Sequence, residues 1–300
     1  VSAPEPPRPD AVAAVVVSYF PDEGFADRIA RVAAQVCRVI VVDNGSSGAP
    51  RERLDGLARE GRIELVALGE NLGLGAALNR GLERALDAGL EWALTLDQDT
   101  TPRDGMIAGL ARVYEDFSGR DRVGIIGANY EERGTGTTAF RRRAAPAGSF
   151  AVVDEVITSG SLVSLRAFVA VGPFREDLFI YYVDHEFCKR VRDAGYLVLL
   201  TRDVLMIHAT GSASRRRVLF REVVTHDYPA WRNYYIVRNA VAIASEQAFS
   251  DPRWAAYRLW VLAKRSTSTL LLEQGRLEKL AYMARGLRDG ILGRLGKRVP

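Results

Sequence analysis

The chain has 300 residues, 48% hydrophobic and 26% charged, which excludes a globally disordered protein and is enough for one large α/β domain with appendages. Its net charge of +4 is unevenly placed: residues 253–300 carry eleven Lys/Arg against three Asp/Glu, whereas the preceding chain is net acidic. No window supplies eighteen uninterrupted apolar residues, and residues 1–9 lack the apolar centre of a signal peptide, so no membrane-spanning segment is expected. The two cysteines, Cys37 and Cys188, each fall inside a predicted regular element, which fits buried thiols in a reducing, cytoplasmic compartment rather than a disulfide framework.

Residues 1–10 are proline-rich and polar and read as a flexible lead-in. Residues 11–19 (AVAAVVVSY) are an unbroken β-branched and alanine run, suited to a strand buried on both faces of a parallel sheet. Helical spacing of Phe25, Ile29, Val32 and Ala33 follows over 22–35, and 38–42 is a second apolar strand that ends in Asp43-Asn44-Gly45-Ser46-Ser47. Strand, helix and strand at this length form a βαβ unit. A helix over 51–60, a strand over 63–68 and a long helix over 72–88 continue the alternation. Residues 92–97 are another apolar strand, Pro102 is placed to open a helix that includes 104–117, and 123–128 is a further strand. The alternation predicts a doubly wound, mostly parallel sheet.

From 130 to 154 the alternation stops. The glycine and threonine content, with Arg141-Arg142-Arg143, reads as a turn-rich hairpin or loop. Residues 156–165 look like a strand interrupted at Ser159-Gly160-Ser161, where glycine permits close approach of a ligand. A helix over 182–194, short strands over 197–200 and 204–207, and a basic loop over 211–217 (GSASRRR) follow. From Pro229 onward the chain reads as helical almost to its end. No internal repeat is visible.

Ligands of doubly wound sheets bind beyond the carboxyl ends of the strands. Tyr19, Asp43 and the pair Asp97/Asp99 fall at three such ends. Period-2 alternation sends Asp97 and Asp99 to one side of an extended backbone, and two carboxylates there make a hard-oxygen site for Mg2+ or Mn2+. Asp43 can cap an Asx-turn or accept an N–H from a pyrimidine base. Asn71-Leu72-Gly73 opens a helix where bare backbone amides can meet a phosphate or sugar, although Gly75 and Gly81 fit helix packing better. Asp184, early in a helix, has the charge that suits the helix dipole and can also take a proton from an attacking hydroxyl. His208 ends a strand, and is either a satisfied core histidine or a metal ligand.

Eight motifs in order, VVVSYFP, VVDNGS, NLGLGAALNRG, LTLDQDTTP, ITSGSLVS, YYVDHEFCKR, IHATG and YYIVRN, resemble glycosyltransferase family 2 enzymes of the GT-A fold, in particular their bacterial rhamnosyltransferase branch. The resemblance spans residues 15–239. It implies a catalytic domain over 11–228, with a Rossmann-like nucleotide-sugar-binding half (11–128) and an acceptor half (129–228), followed by a basic, amphipathic helical extension over 229–300.

The resemblance also assigns residues. Asp43 would contact the base, flanked by Ser18 and Tyr19. Asn71, Gly73 and Gln98 would complete the nucleotide-sugar side. Asp97 would touch the ribose or diphosphate and hold metal weakly, while Asp99 and His208 would be the main ligands of Mg2+ or Mn2+. Asp184 would be the general base of an inverting transfer. The family often has Glu-Asp where this chain has Val183-Asp184, which makes Glu186 a second candidate. Ser159, Gly160, Arg238 and Asn239 would lie toward the acceptor.

The donor implied is dTDP-rhamnose, and the acceptor a glycan or lipid-linked hydroxyl in cell-surface polysaccharide synthesis. The basic helices suit an anionic membrane surface, the cytoplasmic face of the inner membrane, or a homodimer contact; nucleic acid is not the expected partner. Two other readings are weaker. LTLDQDTT approximates the nucleophile motif of haloacid-dehalogenase-like phosphatases, but that motif belongs on a first strand. A non-catalytic membrane-docking protein would have no need of these polar positions.

Overall fold

A computed structural model describes residues 4–138, 149–208, 213–218, 221–226 and 228–298. The chain divides into two compact units. One contains residues up to 132, 136–175 and 183–208; the other contains 133–135, 176–182 and the residues after 208.

The first unit is built on one sheet. β1 (Val12–Ser18) lies between β2 (Arg38–Asp43) and β4 (Trp92–Asp97), parallel to both, and β3 (Glu64–Ala67) extends the parallel run beyond β2. The Val/Ala run buries both of its faces, as its composition requires. The helices α1 (Phe25–Ala33), α2 (Gly48–Arg59) and α3 (Leu74–Asp87) connect these strands. A Cβ at Gly81 of α3 would overlap Val15, so that glycine serves helix-on-sheet packing.

Beyond β4 come β5 (Thr101–Pro102), α4 (Met106–Asp116), β6 (Val123–Glu132), β7 (Phe150–Val153), β8 (Ser161–Ser164), α5 (Leu165–Val171), α6 (Val183–Asp193) and β9 (Leu197–His208). The sheet order is β3-β2-β1-β4-β8-β6-β9-β5, with β7 also on β9. β8 is antiparallel to both β4 and β6, and β9 is antiparallel to β5 and β7. The sheet is therefore mixed: its first four strands are parallel and β6 is parallel to β9, while β8 runs against both of its neighbours and β5 and β7 run against β9. A short run buried on both sides reads alike in either direction, so sequence does not reveal this reversal.

Other expectations are corrected. Pro102 opens no helix: it sits on a two-residue edge strand, where its missing N–H costs no ladder bond, and α4 starts only at Met106. Residues 197–208 form one continuous strand rather than two. Residues 4–11 are pinned, not loose: the Trp92 indole donates to the Glu5 carbonyl at 2.8 Å, and the Glu5 N–H donates to Glu91 Oε2 at 2.7 Å. The arginine triplet 141–143 lies outside the described residues.

In the second unit, the region read as a basic loop forms a hairpin of β10 (Ala213–Val218) and β11 (Arg221–His226); residues 211 and 212 are outside the description. Helices α7 (Ala230–Gln247), α8 (Pro252–Leu272) and α9 (Arg276–Ile291) follow. α8 is capped by Asp251, whose carboxylate accepts the Trp254 N–H at 3.1 Å. The turn between α8 and α9 buries an ion pair, Lys279 Nζ to Glu273 Oε2 at 2.8 Å. Gly286 and Gly290 bring α9 onto α7, since a Cβ at either would meet the Tyr234 or Arg238 carbonyl. No described helix is long and apolar enough to cross a membrane.

Candidate active site

β4 ends at Asp97, and the chain then turns, with the Thr100 N–H donating to the Asp97 carbonyl at 3.1 Å. Asp97 and Asp99 are therefore brought together by a turn, not by alternation along an extended strand. The pairing of β5 with β9 sets Thr101 opposite Ile207, which carries His208, the last residue of β9, to the same place. His208 Nε2 is 3.8 Å from Asp97 Oδ2, and Nδ1 is 3.6 Å from Asp99 Oδ1. One ligand atom from each residue can be chosen so that all lie within 4.8 Å of one another.

Two carboxylates and an imidazole at this spacing fit a divalent cation: the separations exceed hydrogen-bond length, and the donors are those that Mg2+ or Mn2+ accepts. Thr100 Oγ1 lies 2.8 Å from His208 Nδ1 and 2.7 Å from Ser159 Oγ, which in turn accepts the Asp97 N–H at 3.0 Å. This chain of hydroxyls holds the turn and the ring together. Burial raises the Asp97 carboxyl to about 6; His208 opposes the rise, and the charges of Asp99 and Asp184 add to it. Removing water from a carboxylate among like charges disfavours its ionised form until a cation arrives.

On the neighbouring strand ends, Gln98 acts on the backbone of Tyr19. Its Oε1 accepts the Tyr19 N–H at 2.7 Å and its Nε2 donates to the Tyr19 carbonyl at 3.0 Å. The Tyr19 ring is left exposed. Asp43 is fully buried, and its carboxylate accepts from the Ser46 N–H and hydroxyl and from Ser18 Oγ at 3.3 Å. The Asx-turn reading describes this geometry, with Asp43 shaping the 43–47 turn. Asn44 bridges to the next element: its Oδ1 accepts the Leu72 N–H at 2.8 Å and its Nδ2 donates to the Gly73 carbonyl at 3.1 Å. Asn71 Oδ1 accepts the Gly73 N–H at 3.0 Å, and Gly73 has φ of 95°, a backbone that favours glycine.

Asp184, in the first turn of α6, has its Oδ1 on the His185 N–H at 2.9 Å and is half-buried. Its charge reaches Asp97, so the two carboxylates share one region. The Glu186 carboxylate is engaged elsewhere. Both its oxygens are forked onto Arg190, at 2.7 and 2.9 Å, and Arg190 also holds the carbonyls of Val171, Gly172 and Pro173.

Three other assignments also change. Gly160 has φ of 80°, and a Cβ there would collide with Met206, so its role is packing. Arg238 and Asn239 have no exposed surface and bond to backbone carbonyls within the second unit, so they are not free to touch an acceptor. Sequence reasoning missed Thr100, Ser46 and Asn44. Thr100 adjoins Asp99, Asn44 adjoins Asp43 and Ser46 lies three residues after Asp43, and that proximity was the available signal.

Comparison with known proteins bears on the family and the fold. Residues 14–154, just under half the chain, match the family model described as Glycosyl transferase family 2. The dTDP-rhamnosyl transferase RfbF of Shigella flexneri is 29% identical over 305 residues, covering 94% of this chain and 96% of that protein. Among solved structures, S. aureus TarS 1-349 superposes with a TM-score of 0.58 at 14% identity, covering 93% of this chain and 80% of that one. The mannosyltransferase PcManGT from Pyrobaculum calidifontis, in complex with GDP-Man and Mn2+, superposes with a TM-score of 0.59 at 13% identity, covering 97% and 90%. The two structural likenesses speak for the fold, which is of GT-A type.

Proposed function

With a glycosyl transferase family 2 domain over residues 14–154, the chain is a glycosyltransferase, and from that premise we propose an inverting, cation-dependent transfer of L-rhamnose from dTDP-rhamnose to a hydroxyl of a glycan or lipid-linked acceptor. The observation that carries the reading is the cluster of Asp97, Asp99 and His208 at the carboxyl ends of the strands, with Asp184 close enough for its charge to reach Asp97.

In the proposed reaction the acceptor hydroxyl attacks the anomeric carbon, the new C–O bond forms as the bond to the diphosphate breaks, and the hydroxyl proton passes to the Asp184 carboxylate. A bound Mg2+ or Mn2+ would supply charge neutralisation for the leaving diphosphate. Asp99 and His208 would hold it, with Asp97 toward the nucleotide. Gln98 fixes the backbone of Tyr19, whose exposed ring is available to the base, while Asp43 and Asn44 shape the loops on which the nucleotide would rest. Rhamnose as the sugar is supported by the Shigella relative, named as a dTDP-rhamnosyl transferase, which matches nearly the whole chain.

The proposal extends to where the protein works. Helices α8 and α9 expose Tyr257, Trp260, Leu277 and Ile291 together with Arg253, Lys264, Arg276 and Arg288. Of the three carboxylates in 253–298, Glu273 and Asp289 are buried and only Glu278 is exposed. Aromatic and basic groups with so little opposing charge suit the surface of an anionic bilayer, which supports the reading of an enzyme docked on the cytoplasmic face, where a lipid-linked acceptor would be presented.

The test is a panel of nucleotide sugars in thermal shift and turnover assays with Mn2+. Stabilisation and transfer with dTDP-rhamnose, at ligand far above its Kd, should reach about 3 kcal/mol. Preference for a different donor overturns the rhamnose assignment, and hydrolysis of a simple phosphate ester with no transfer overturns the reaction class.

A further inference from the structure

Residues 176–182 run without a break into Val183, the first residue of α6. Within this stretch Phe179, Tyr181 and Tyr182 have φ of 64°, 66° and 63°. Left-handed backbone is uncommon for any residue but glycine and is least suited to bulky side chains, so it persists only where its surroundings over-determine it.

Here the surroundings are two adjacent residues of α7. Asn239 Nδ2 donates to the carbonyls of Leu178, Ile180 and Tyr181 at 2.9, 2.8 and 2.9 Å. Two amide hydrogens thus serve three acceptors, which gathers successive carbonyls that an ordinary turn would point apart. Arg238 donates from Nη2 to the Leu178 carbonyl at 2.9 Å, and from Nε to Asn239 Oδ1 at 2.8 Å. The second bond fixes which way the amide faces. Both side chains are fully buried. Phe179 packs on Tyr235 with ring centroids 5.2 Å apart. The end of the chain holds the same stretch, since the Gly296 N–H donates to the Asp177 carbonyl at 2.6 Å and Arg238 also donates to the Gly296 carbonyl.

We propose that Asn239, with Arg238 orienting it, is a positioning residue for Asp184: the pair holds residues 178–182 in the backbone from which α6 starts, and so sets where the carboxylate two residues along is presented. The proposal rests on the reading of Asp184 as the general base. It gives the buried Arg-Asn pair a part in the reaction without contact with either substrate. If residues 181 and 182 relaxed to ordinary backbone, the entry into α6 would change direction. A shift of about 1 Å in a reacting group costs on the order of 100-fold in rate.

Asn239→Asp tests this, because it keeps the shape and replaces the donor facing three carbonyls with an oxygen that repels them. The full-length variant should lose roughly 10- to 100-fold in kcat, while Mn2+ and donor affinities, measured by calorimetry on the same preparation, stay within about twofold. In an Asp184→Asn background the same change should cost less than about twofold, because residues acting through one group are not additive. Asn239→Ser, which keeps a shorter donor, is measured in parallel and carries the test if the aspartate variant does not fold. A full additional loss in the Asp184→Asn background, or donor affinity falling as far as kcat, overturns the proposal. Unimpaired turnover of Asp184→Asn alone overturns the base assignment instead, and that single variant reveals it separately.

Discussion

The hydroxyl of Thr100 lies 2.8 Å from Nδ1 of His208, and this contact joins the turn after β4 to the end of β9. It holds the imidazole with Nε2 turned toward Asp97, the orientation a metal-ligating histidine needs from its other ring nitrogen. Thr100→Val removes the hydroxyl and keeps the volume. Mn2+ affinity should fall by about 10-fold or more with circular dichroism unchanged, and an unaltered Mn2+ Kd by calorimetry would show that Thr100 does not orient the ring.

Asp99→Ala should abolish Mn2+-dependent donor binding and leave the fold intact. Asp97→Asn should be milder for metal affinity, because Asp97 is proposed to face the nucleotide. Isothermal titration of both variants with Mn2+ and then with donor separates the roles. Equal losses would make both carboxylates direct ligands.

The raised Asp97 carboxyl predicts how stability varies with pH. Folded, Asp97 titrates at about 6 rather than at its ordinary 3.8, so between these values the folded chain keeps a proton that the unfolded chain has lost. Stability of the metal-free protein should therefore decline as pH rises from about 4 to about 6. Mn2+ competes with that proton, so its stabilising effect should be small at pH 5 and larger at pH 7. Melting curves with and without Mn2+ across this range check both slopes, and Asp97→Asn should flatten the metal-free one.

Asp184→Asn should lower turnover by about 100-fold or more with donor affinity nearly preserved. Glu186→Gln should do the reverse: it breaks the fork onto Arg190, so the melting temperature falls by the equivalent of about 1–3 kcal/mol while activity per folded molecule is kept. A larger loss of kcat in Glu186→Gln than in Asp184→Asn would exchange their roles.

The exposed face of α8 is tested by substitution, not by truncation, because residue 296 holds the segment before α6. Trp260→Ser with Lys264→Glu should lose flotation with anionic vesicles while keeping turnover on a water-soluble acceptor. The unaltered protein should leave the vesicles as salt rises. Absence of vesicle binding at low salt, together with dimers by light scattering that dissociate in the double variant, would make this face a subunit contact instead.

The sequence alone determined the parallel β1 to β4 frame, the positions of Asp43 and Asp97 at its strand ends, the place of Asp184 early in a helix, and the resemblance to glycosyltransferase family 2. These are local signals: buried parallel strands appear as unbroken Val/Ala runs, and a carboxylate at a strand end can be read from the residues beside it. Only the tertiary structure decided the rest. The antiparallel insertion of β8, the use of Pro102 as an edge strand and the meeting of His208 with Asp97 and Asp99 all depend on pairing between segments far apart in sequence, for which a single chain carries no periodic signal. The same reason hid the fork of Glu186 onto Arg190 and the full burial of Arg238 and Asn239. Sequence shows a charged or polar side chain but not what it is spent on, and here Arg190 and the carbonyls of Leu178, Ile180 and Tyr181 had already taken them.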